Sequence, residues 1–243
     1  IGQLERAAAI AEQLKNEAYD VIVFEEAFEK KARAVLWEGL KEKFPFATGP
    51  GKGGFFKVNS GVWILSKFPF TAVEEIEFNT CKIADCMSKK GAILVELMKN
   101  GKLFQVVGTH LQSENYPEVR KEQFKDIFEK LLKPFEKENV PQFIAGDLNT
   151  PIDDEKNYNE MLTLLNAEDK APRKKQTWLK DIVTWGGKDN DLFDAGTTTN
   201  TLIVQSNTCF FIINVSPLRI KRSRECCPGS LDCLCVCRKC YGC

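Results

Sequence analysis

The order of predicted elements indicates an α/β (α+β) domain, built on one mixed sheet or on two sheets packed face to face with helices outside. Short apolar runs alternate with amphipathic helical patterns, a hairpin interrupts that alternation, and no internal repeat is visible. The 243 residues are 43% hydrophobic and 28% charged, which is typical of a globular protein. The 34 basic and 34 acidic residues give no net charge, which argues against a nucleic-acid binder that relies on bulk positive charge.

The first half of the chain alternates helical and strand-like segments. Apolar residues recur at helical spacing from 4 to 18 and again from 30 to 44. Short apolar runs at 20–24 and 61–66 predict buried strands. The glycine-rich segment 49–54 predicts a loop between the second helix and the second strand.

The second half contains the predicted hairpin. Its strands span 91–98 and 103–108, and the Asn100-Gly101 pair between them is a strong hairpin signal. A long helix, a strand and a second helix are predicted downstream, over 117–135, 142–145 and 158–165. No apolar run reaches the ~18 residues of a transmembrane helix, so no transmembrane segment is predicted.

The end of the chain differs from the rest in composition, because most of its ten cysteines and an excess of basic residues lie there. We therefore expect one domain over 1–199 and an atypical Cys-rich tail over 200–243. A zinc or disulfide module is one interpretation of the tail. We prefer another, in which the tail did not evolve with this domain and is out of frame or disordered. The chain starts at Ile1 rather than Met, so we expect a fragment or processed chain, in which a signal peptide would not be visible.

Polar side chains follow three of the predicted strands at the points where these strands end. They are Glu25 and Glu26, Thr109 and His110, and Asp147 and Asn149. Side chains at strand ends converge at one edge of a sheet, and oxygen donors suit Mg²⁺ rather than Zn²⁺. A hard cation beside a histidine predicts phosphoryl transfer. Taken singly, each has a structural alternative: glutamates at a helix N-terminus, a core histidine, and a Gly-Asp-Leu-Asn turn.

Five segments resemble the endonuclease/exonuclease/phosphatase superfamily: Phe-Glu-Glu-Ala-Phe (24–28), Gly-Val-Trp-Ile-Leu-Ser-Lys-Phe-Pro (61–69), Lys-Gly-Ala-Ile-Leu-Val (90–95), Gly-Thr-His-Leu-Gln-Ser-Glu (108–114) and Gly-Asp-Leu-Asn (146–149). Gly-Thr-His-x-Gln-Ser-Glu and the Cys-x(4)-Cys pair of Cys81 and Cys86 are similar to the bacterial-type, neutral, Mg²⁺-dependent sphingomyelinases. The resemblance covers 3–195. It implies a four-layer sandwich of two mixed sheets packed face to face, with outer helices and an active site at one edge.

The resemblance also implies roles for individual residues. Glu26 matches the family's metal ligand, and His110 matches the first of two active-site histidines. Asp147 and Asn149 match the catalytic pair that holds the water and the phosphate. Mg²⁺ is the implied cofactor.

The match is weaker towards the C-terminus. Thr184-Trp185 followed by Asn190 resembles a Thr-Trp-x(4)-Asn element, which makes Trp185 and Asn190 candidates for substrate binding; Thr177-Trp178 competes for the same match. Nothing after Asn190 matches the family's last strand or its second histidine, and the asparagine on the family's first strand has no counterpart. We expect the N-terminal strand to be truncated and turnover to be impaired.

The function that the resemblance implies is hydrolysis of sphingomyelin in a membrane surface to ceramide and phosphocholine, by a secreted enzyme. Phe55-Phe56 is a candidate for membrane contact, and the protein core is an equal alternative. Cys81 and Cys86 are expected to form a local disulfide if the protein is secreted. A nuclease or phosphatase of the same superfamily is one alternative function. An inactive domain that binds phospholipid or a partner is another.

Overall fold

The computed structural model describes residues 2–16, 19–50, 57–151, 154–169, 209–213 and 236–238. The helices are α1 (Gln3–Asn16), α2 (Lys30–Leu40), α3 (Pro117–Ile127) and α4 (Glu155–Leu165). The strands are β1 (Val21–Glu25), β2 (Phe46–Ala47), β3 (Trp63–Ser66), β4 (Phe70–Glu77), β5 (Gly91–Lys99), β6 (Lys102–His110), β7 (Gln142–Asp147), β8 (Glu168–Asp169), β9 (Cys209–Ile213) and β10 (Val236–Arg238).

The strands form two sheets, which confirms the predicted fold class. The first has the order β2-β3-β1-β9, and its neighbouring strands are antiparallel. The second has the order β4-β5-β6-β7-β10-β8 and is mixed, because β6 and β7 run parallel while its other pairs are antiparallel. The predicted hairpin is β5–β6, whose strands meet at the expected turn.

Alternation along β1 shows how the layers are built. Val21 and Val23 pack into the core between the two sheets, whereas Ile22 and Phe24 pack into a second core with α1 and α2. A third core lies on the outer face of the second sheet, against α3 and α4. The layers are therefore helices, sheet, sheet and helices. At Gly108, between the sheets, an added Cβ would lie 2.9 Å from Cγ1 of Val23, so glycine allows the close approach.

Some element boundaries differ from the sequence predictions. The helix expected to reach residue 44 ends at Leu40, and the helix expected over 117–135 changes after Ile127 into a π-helical turn, Phe128–Leu132. β4 was not predicted, because three of its eight residues are glutamates, which are depleted in strands. Its pairing with β5 and its position at the edge of the sheet decide the conformation.

Two short segments of the Cys-rich tail take up positions in the sheets. β9 pairs with β1, and β10 pairs with β7. The division at residue 200 stays a prediction. In the described part of the chain, no helix is long and apolar enough to cross a membrane.

Candidate active site

Three strands end at the same edge of the sandwich and carry the predicted polar residues there. Alternation along β1 places Glu25 on the same face as Val21 and Val23, between the sheets. In the parallel register of β6 and β7, His110 lies opposite Asp147. Each continues the alternation of its strand, so it lies on the same face as the strand's residues in the core between the sheets. The structure thus brings together the three strand ends that the sequence predicted to meet.

The Gly-Asp-Leu-Asn segment has a backbone that holds its polar side chains in place. Gly146 has a φ of 148°, and a Cβ there would lie 1.8 Å from the carbonyl oxygen of Thr109, so only glycine fits. Asn149, at a φ of 48°, donates its backbone N–H to Oδ1 of Asp147 at 2.9 Å. Its Nδ2 donates to the carbonyl of Leu111 at 2.9 Å. The segment forms a turn at the candidate site, so the two sequence interpretations of the segment are compatible.

Glu25 is a buried acid with little to compensate for its burial. Its side chain is 0% exposed, and neither carboxylate oxygen has a hydrogen-bond partner among the described residues. Burial raises the pKa of Glu25 well above its ordinary value, and the negative charge of Asp147 raises it further. The site therefore contains more negative charge than its surroundings stabilise.

Glu26 shares this environment, although strand alternation predicted opposite faces for the two glutamates. Its φ of 53° ends the strand geometry, and its side chain is half-buried. Burial raises the pKa of Glu26; the Lys90 ammonium opposes this effect, and the carboxylates of Asp147 and Asp85 add to it. The charge of Asp147 thus raises the pKa of both glutamates.

Lys90 supplies a positive charge that sequence reasoning did not assign to the site. Its buried Nζ lies 3.0 Å from Oδ1 of Asp85 and donates to the carbonyl of Leu111 at 2.7 Å. Burial lowers the pKa of Lys90, whereas the Asp85 carboxylate raises it. In the sequence, Lys90 begins the Lys-Gly-Ala-Ile-Leu-Val segment that resembles the superfamily and follows the Cys-x(4)-Cys segment, but this position indicates no chemical role for the lysine.

His110 is held as a neutral imidazole. Burial, with the Lys90 charge as a second cause, lowers the pKa of His110 from 6.5 to about 4 against the opposing effect of Asp147 and Asp85. Its Nδ1 has no hydrogen-bond partner among the described residues. A neutral imidazole has one donor and one acceptor, so His110 can donate to an oxyanion or accept a proton, but it carries no positive charge near pH 7.

A disulfide-closed loop packs against the site. Cys81 and Cys86 are linked, with their Cα atoms 5.2 Å apart, which confirms the expected pairing. Asp85, inside this loop, accepts from the backbone N–H of Ser113 at 2.6 Å and from its hydroxyl at 3.0 Å. Gln112 accepts from the backbone N–H of Lys82 at 2.8 Å. The Gln-Ser part of the sequence motif therefore anchors the loop.

The residues present fit a hard divalent cation. Glu25, Glu26 and Asp147 form an acidic group whose charge is only partly balanced by Lys90. Within the described residues, no three His, Cys, Asp or Glu side chains are close enough to hold a metal by themselves. Mg²⁺ tolerates such a site, because it usually keeps several waters and takes one or two carboxylates.

The weaker sequence candidates cannot be placed relative to these groups. Trp185 and Asn190, with the competing Thr177-Trp178, lie outside the described residues. The same holds for Phe55 and Phe56.

Comparison with known proteins gives a consistent result. The sequence profile described as "Endonuclease/Exonuclease/phosphatase family" matches residues 2–202. The chain is 34% identical to sphingomyelinase C 2 of Leptospira interrogans over 216 residues, which is 79% of this chain and 33% of that protein. It is 29% identical to sphingomyelinase C of Listeria ivanovii, over 79% of this chain and 61% of that protein. The chain thus spans about a third and about three fifths of the length of these relatives.

Solved structures agree with the sequence comparison. Sphingomyelinase C from Streptomyces griseocarneus superposes with a TM-score of 0.64 at 28% identity, over 69% of this chain and 64% of that one. A beta toxin variant from Staphylococcus aureus with bound magnesium ions gives 0.62 at 30% identity, over 70% of this chain and 65% of that one.

Proposed function

The chain belongs to the endonuclease/exonuclease/phosphatase family, and from this premise we propose that it is a Mg²⁺-dependent phosphodiesterase acting on sphingomyelin. The products would be ceramide and phosphocholine. The observation that carries the proposal is the buried, unpartnered carboxylate of Glu25 beside Asp147, Glu26 and Lys90. The sphingomyelinase relatives support the choice of substrate.

We propose Glu26 as the direct metal ligand, with Glu25 and Asp147 adding negative charge around the cation. Glu26 is the more accessible of the two glutamates, because it is half-buried while Glu25 is fully enclosed. When bound, Mg²⁺ would polarise a phosphoryl oxygen and stabilise charge on the leaving alkoxide.

The side chains around this position are suited to in-line attack by water on phosphorus. Asp147 has one carboxylate oxygen fixed by Asn149 and can use the other to orient the water. Asn149 keeps a second amide hydrogen for the phosphate, since only one is directed to Leu111. His110, being neutral, can donate a hydrogen bond to a phosphoryl oxygen as charge develops there. Lys90 adds a buried positive charge that favours an anionic phosphodiester.

A secreted location is part of this proposal. Disulfides persist in oxidising compartments, and the Cys81–Cys86 bridge fits such a compartment. The lipid substrate further requires the active edge to approach a membrane surface. We expect no role for nucleic acid, because the chain has no excess of positive charge.

The test is release of phosphocholine from sphingomyelin vesicles, with Mg²⁺ and with EDTA. We expect turnover with Mg²⁺ only, and a loss of about 10²–10⁴-fold in His110→Ala and in Glu26→Gln. A phosphodiester of DNA and a phosphomonoester serve as competing substrates for the nuclease and phosphatase alternatives. Preferential hydrolysis of either competitor, or turnover that persists in both variants, would contradict the proposal.

A second candidate is a domain that binds phospholipid headgroups without turnover. It is favoured by the fact that His110 is the single histidine among the 243 residues. Vesicle binding without phosphocholine release, in protein of verified fold, would select this candidate.

A further inference from the structure

Exposed apolar side chains concentrate beside the candidate active site. Val58 is 50% exposed, Ile83 is 63% exposed and Met87 is 64% exposed. The segments that carry them are joined, because the backbone N–H of Val58 donates to the carbonyl of Met87 at 3.0 Å. We call these three residues the loop-tip patch. Single exposed apolar residues are ordinary on a protein surface, but three on adjoining segments are a feature that needs an account.

The conformation of Ile83 shows that packing does not explain its presence. It has a φ of 50°, in the left-handed region, where a β-branched residue is strained and where asparagine or glycine is favoured. The side chain gains no burial in return, since most of its surface faces solvent. A strained, exposed isoleucine is therefore best understood through contact with something outside the fold.

The loop holds the patch firmly and close to the site. The Cys81–Cys86 disulfide closes the loop. The side-chain amide of Gln112 bonds to both the backbone N–H and the carbonyl of Lys82, the residue directly before Ile83. Asp85 lies between Ile83 and Met87 in the sequence and pairs inward with Lys90. Ile83 and Met87 thus lie beside the sheet edge that carries Glu26 and His110.

The charges around the patch suit a lipid surface. Lys82 is exposed, and the flanking Lys57 and Lys89 are partly exposed, with nitrogens 3.7 Å and 3.5 Å from the shared carboxylate of Glu77. Glu75 also acts on Lys89, so three lysines face two acids and the rim of the apolar tip keeps a small excess of positive charge. Apolar side chains surrounded by lysines are typical of segments that lie in a membrane interface, where the lysines reach the headgroups.

We propose that the loop-tip patch inserts into the interface of a phospholipid bilayer and sets the active edge against the headgroups. The inference deepens the proposed function and rests on it for the claim that the substrate lies in a bilayer. Insertion removes Ile83 and Met87 from water, whereas each polar replacement leaves a side chain that prefers to stay hydrated. The patch is thus a docking surface beside the chemistry, and its side chains do not touch the reacting atoms.

The test measures binding to vesicles of phosphatidylcholine and sphingomyelin in EDTA, where no hydrolysis takes place. Ile83→Asn and Met87→Gln are each expected to weaken vesicle binding by about tenfold, and the double variant by about 100-fold. Met98→Gln is the matched control, because Met98 is also exposed but lies at the far end of β5. Unchanged binding in the double variant, or an equal loss in the control, would overturn the proposal.

Folding is monitored in the same variants. Asparagine suits the left-handed conformation, so Ile83→Asn should unfold at the same temperature as the parent protein or higher. Met87→Gln should also leave the unfolding temperature unchanged. A loss of vesicle binding in variants that remain fully folded supports docking; a loss that follows unfolding in both would refute it.

Two further measurements separate this inference from the proposed function. Hydrolysis of a water-soluble phosphocholine ester should be unchanged in the double variant, while hydrolysis of vesicle sphingomyelin falls. Absence of any hydrolysis in the parent protein would defeat the proposed function, yet the vesicle-binding comparison would still decide the role of the patch. A concentration-dependent dimer that the double variant abolishes would overturn the inference and assign the patch to a second copy of the chain.

Discussion

Buried glutamates at the two ends of the sandwich have opposite surroundings. Glu96, towards the end away from the site, accepts hydrogen bonds from Thr71 at 3.0 Å, from Gln105 at 2.9 Å and from Lys137 at 2.5 Å. Burial alone would raise its pKa, but these donors outweigh burial and the pKa of Glu96 is lowered. Glu25, at the active edge, has no such donor among the described residues, and its pKa is raised.

The two ends also differ in their balance of positive and negative charge. At the far end Asp20 pairs with Lys99 at 2.5 Å and with Lys67 at 4.0 Å, so positive charge exceeds negative. At the active edge Lys90 faces several carboxylates. At the far end the polar groups pair with one another and stabilise the fold. The active edge retains negative charge that a bound cation can neutralise. Substitutions that exchange a carboxylate for an amide therefore test the two ends with one chemical change.

The largest effect is expected on activity. Asp147→Asn should lower phosphocholine release by about 10²–10³-fold, because an amide keeps the bond from Asn149 but loses the charge at the proposed position of the water and the metal. Glu96→Gln should leave turnover within a few-fold of the parent, as Glu96 lies far from the site. Steady-state kinetics on sphingomyelin vesicles at saturating Mg²⁺ compare the two. Equal losses in both variants would remove the distinction between the two ends.

The next effect concerns pH and His110. Its folded-state pKa of about 4 lies below the ordinary value of 6.5, so the unfolded chain binds the proton first as the pH falls. The contribution to stability is complete above pH 6.5 and is lost on descent towards pH 4, by roughly 2–3 kcal/mol. The His110→Gln variant lacks this titrating group, so its unfolding free energy should fall less than that of the parent protein between pH 6.5 and pH 4. Urea titrations at pH 7 and pH 4.5 measure the difference; parallel curves would argue against a buried neutral imidazole.

A smaller loss of stability is expected at the far end. Glu96→Gln replaces the acceptor for Lys137 and sets an amide against its other donors, which should lower the free energy of unfolding by about 2 kcal/mol. Asp147→Asn should change it by less, because it removes repulsion with Glu25 and keeps the bond from Asn149. Urea unfolding at pH 7 in EDTA gives both values. A larger loss for Asp147→Asn would mean that the active edge, too, is stabilised by its own charges.

The smallest effect changes sign with the metal. In EDTA, Glu25→Gln should raise the free energy of unfolding by about 1 kcal/mol, since an amide is neutral without taking up a proton on burial and can donate to Asp147. With Mg²⁺ the advantage should shrink or reverse, because the parent protein then has a cation to neutralise the carboxylate. Thermal unfolding with and without Mg²⁺ reports this change.

Calorimetric titration with Mg²⁺ gives the matching affinities for the same variant. Binding should weaken by about tenfold in Glu25→Gln, or about 1.4 kcal/mol, and by more in Glu26→Gln. A Glu25→Gln protein that is less stable in EDTA and binds Mg²⁺ normally would show that Glu25 is an ordinary core residue.

Local patterns allowed most of the central elements, and the meeting of the candidate site residues at one edge, to be predicted. Alternation in β1, the Asn-Gly turn of the hairpin and the polar residues at strand ends are short-range signals, and each corresponds to a described feature. They were sufficient to predict that His110 and Asp147 would meet, because neighbouring parallel strands end at one edge. Motif glycines were also informative: Gly108 and Gly146 lie where a side chain would collide with another strand.

The roles of Glu25, Asp85 and Lys90 depended on distances that sequence spacing does not contain. In the sequence, a lysine and an aspartate five residues apart look like ordinary surface residues. In the fold, the disulfide loop and the following strand bury this pair against a third segment. Likewise, the positive φ at Glu26 brings both glutamates near Asp147, where regular alternation separates them. Periodicity and turn chemistry, which act between near neighbours, thus determined the elements and their order. Burial and the balance of charge arise from the packing of the two sheets, so tertiary structure alone decided which of these polar groups are satisfied and which remain to meet a ligand.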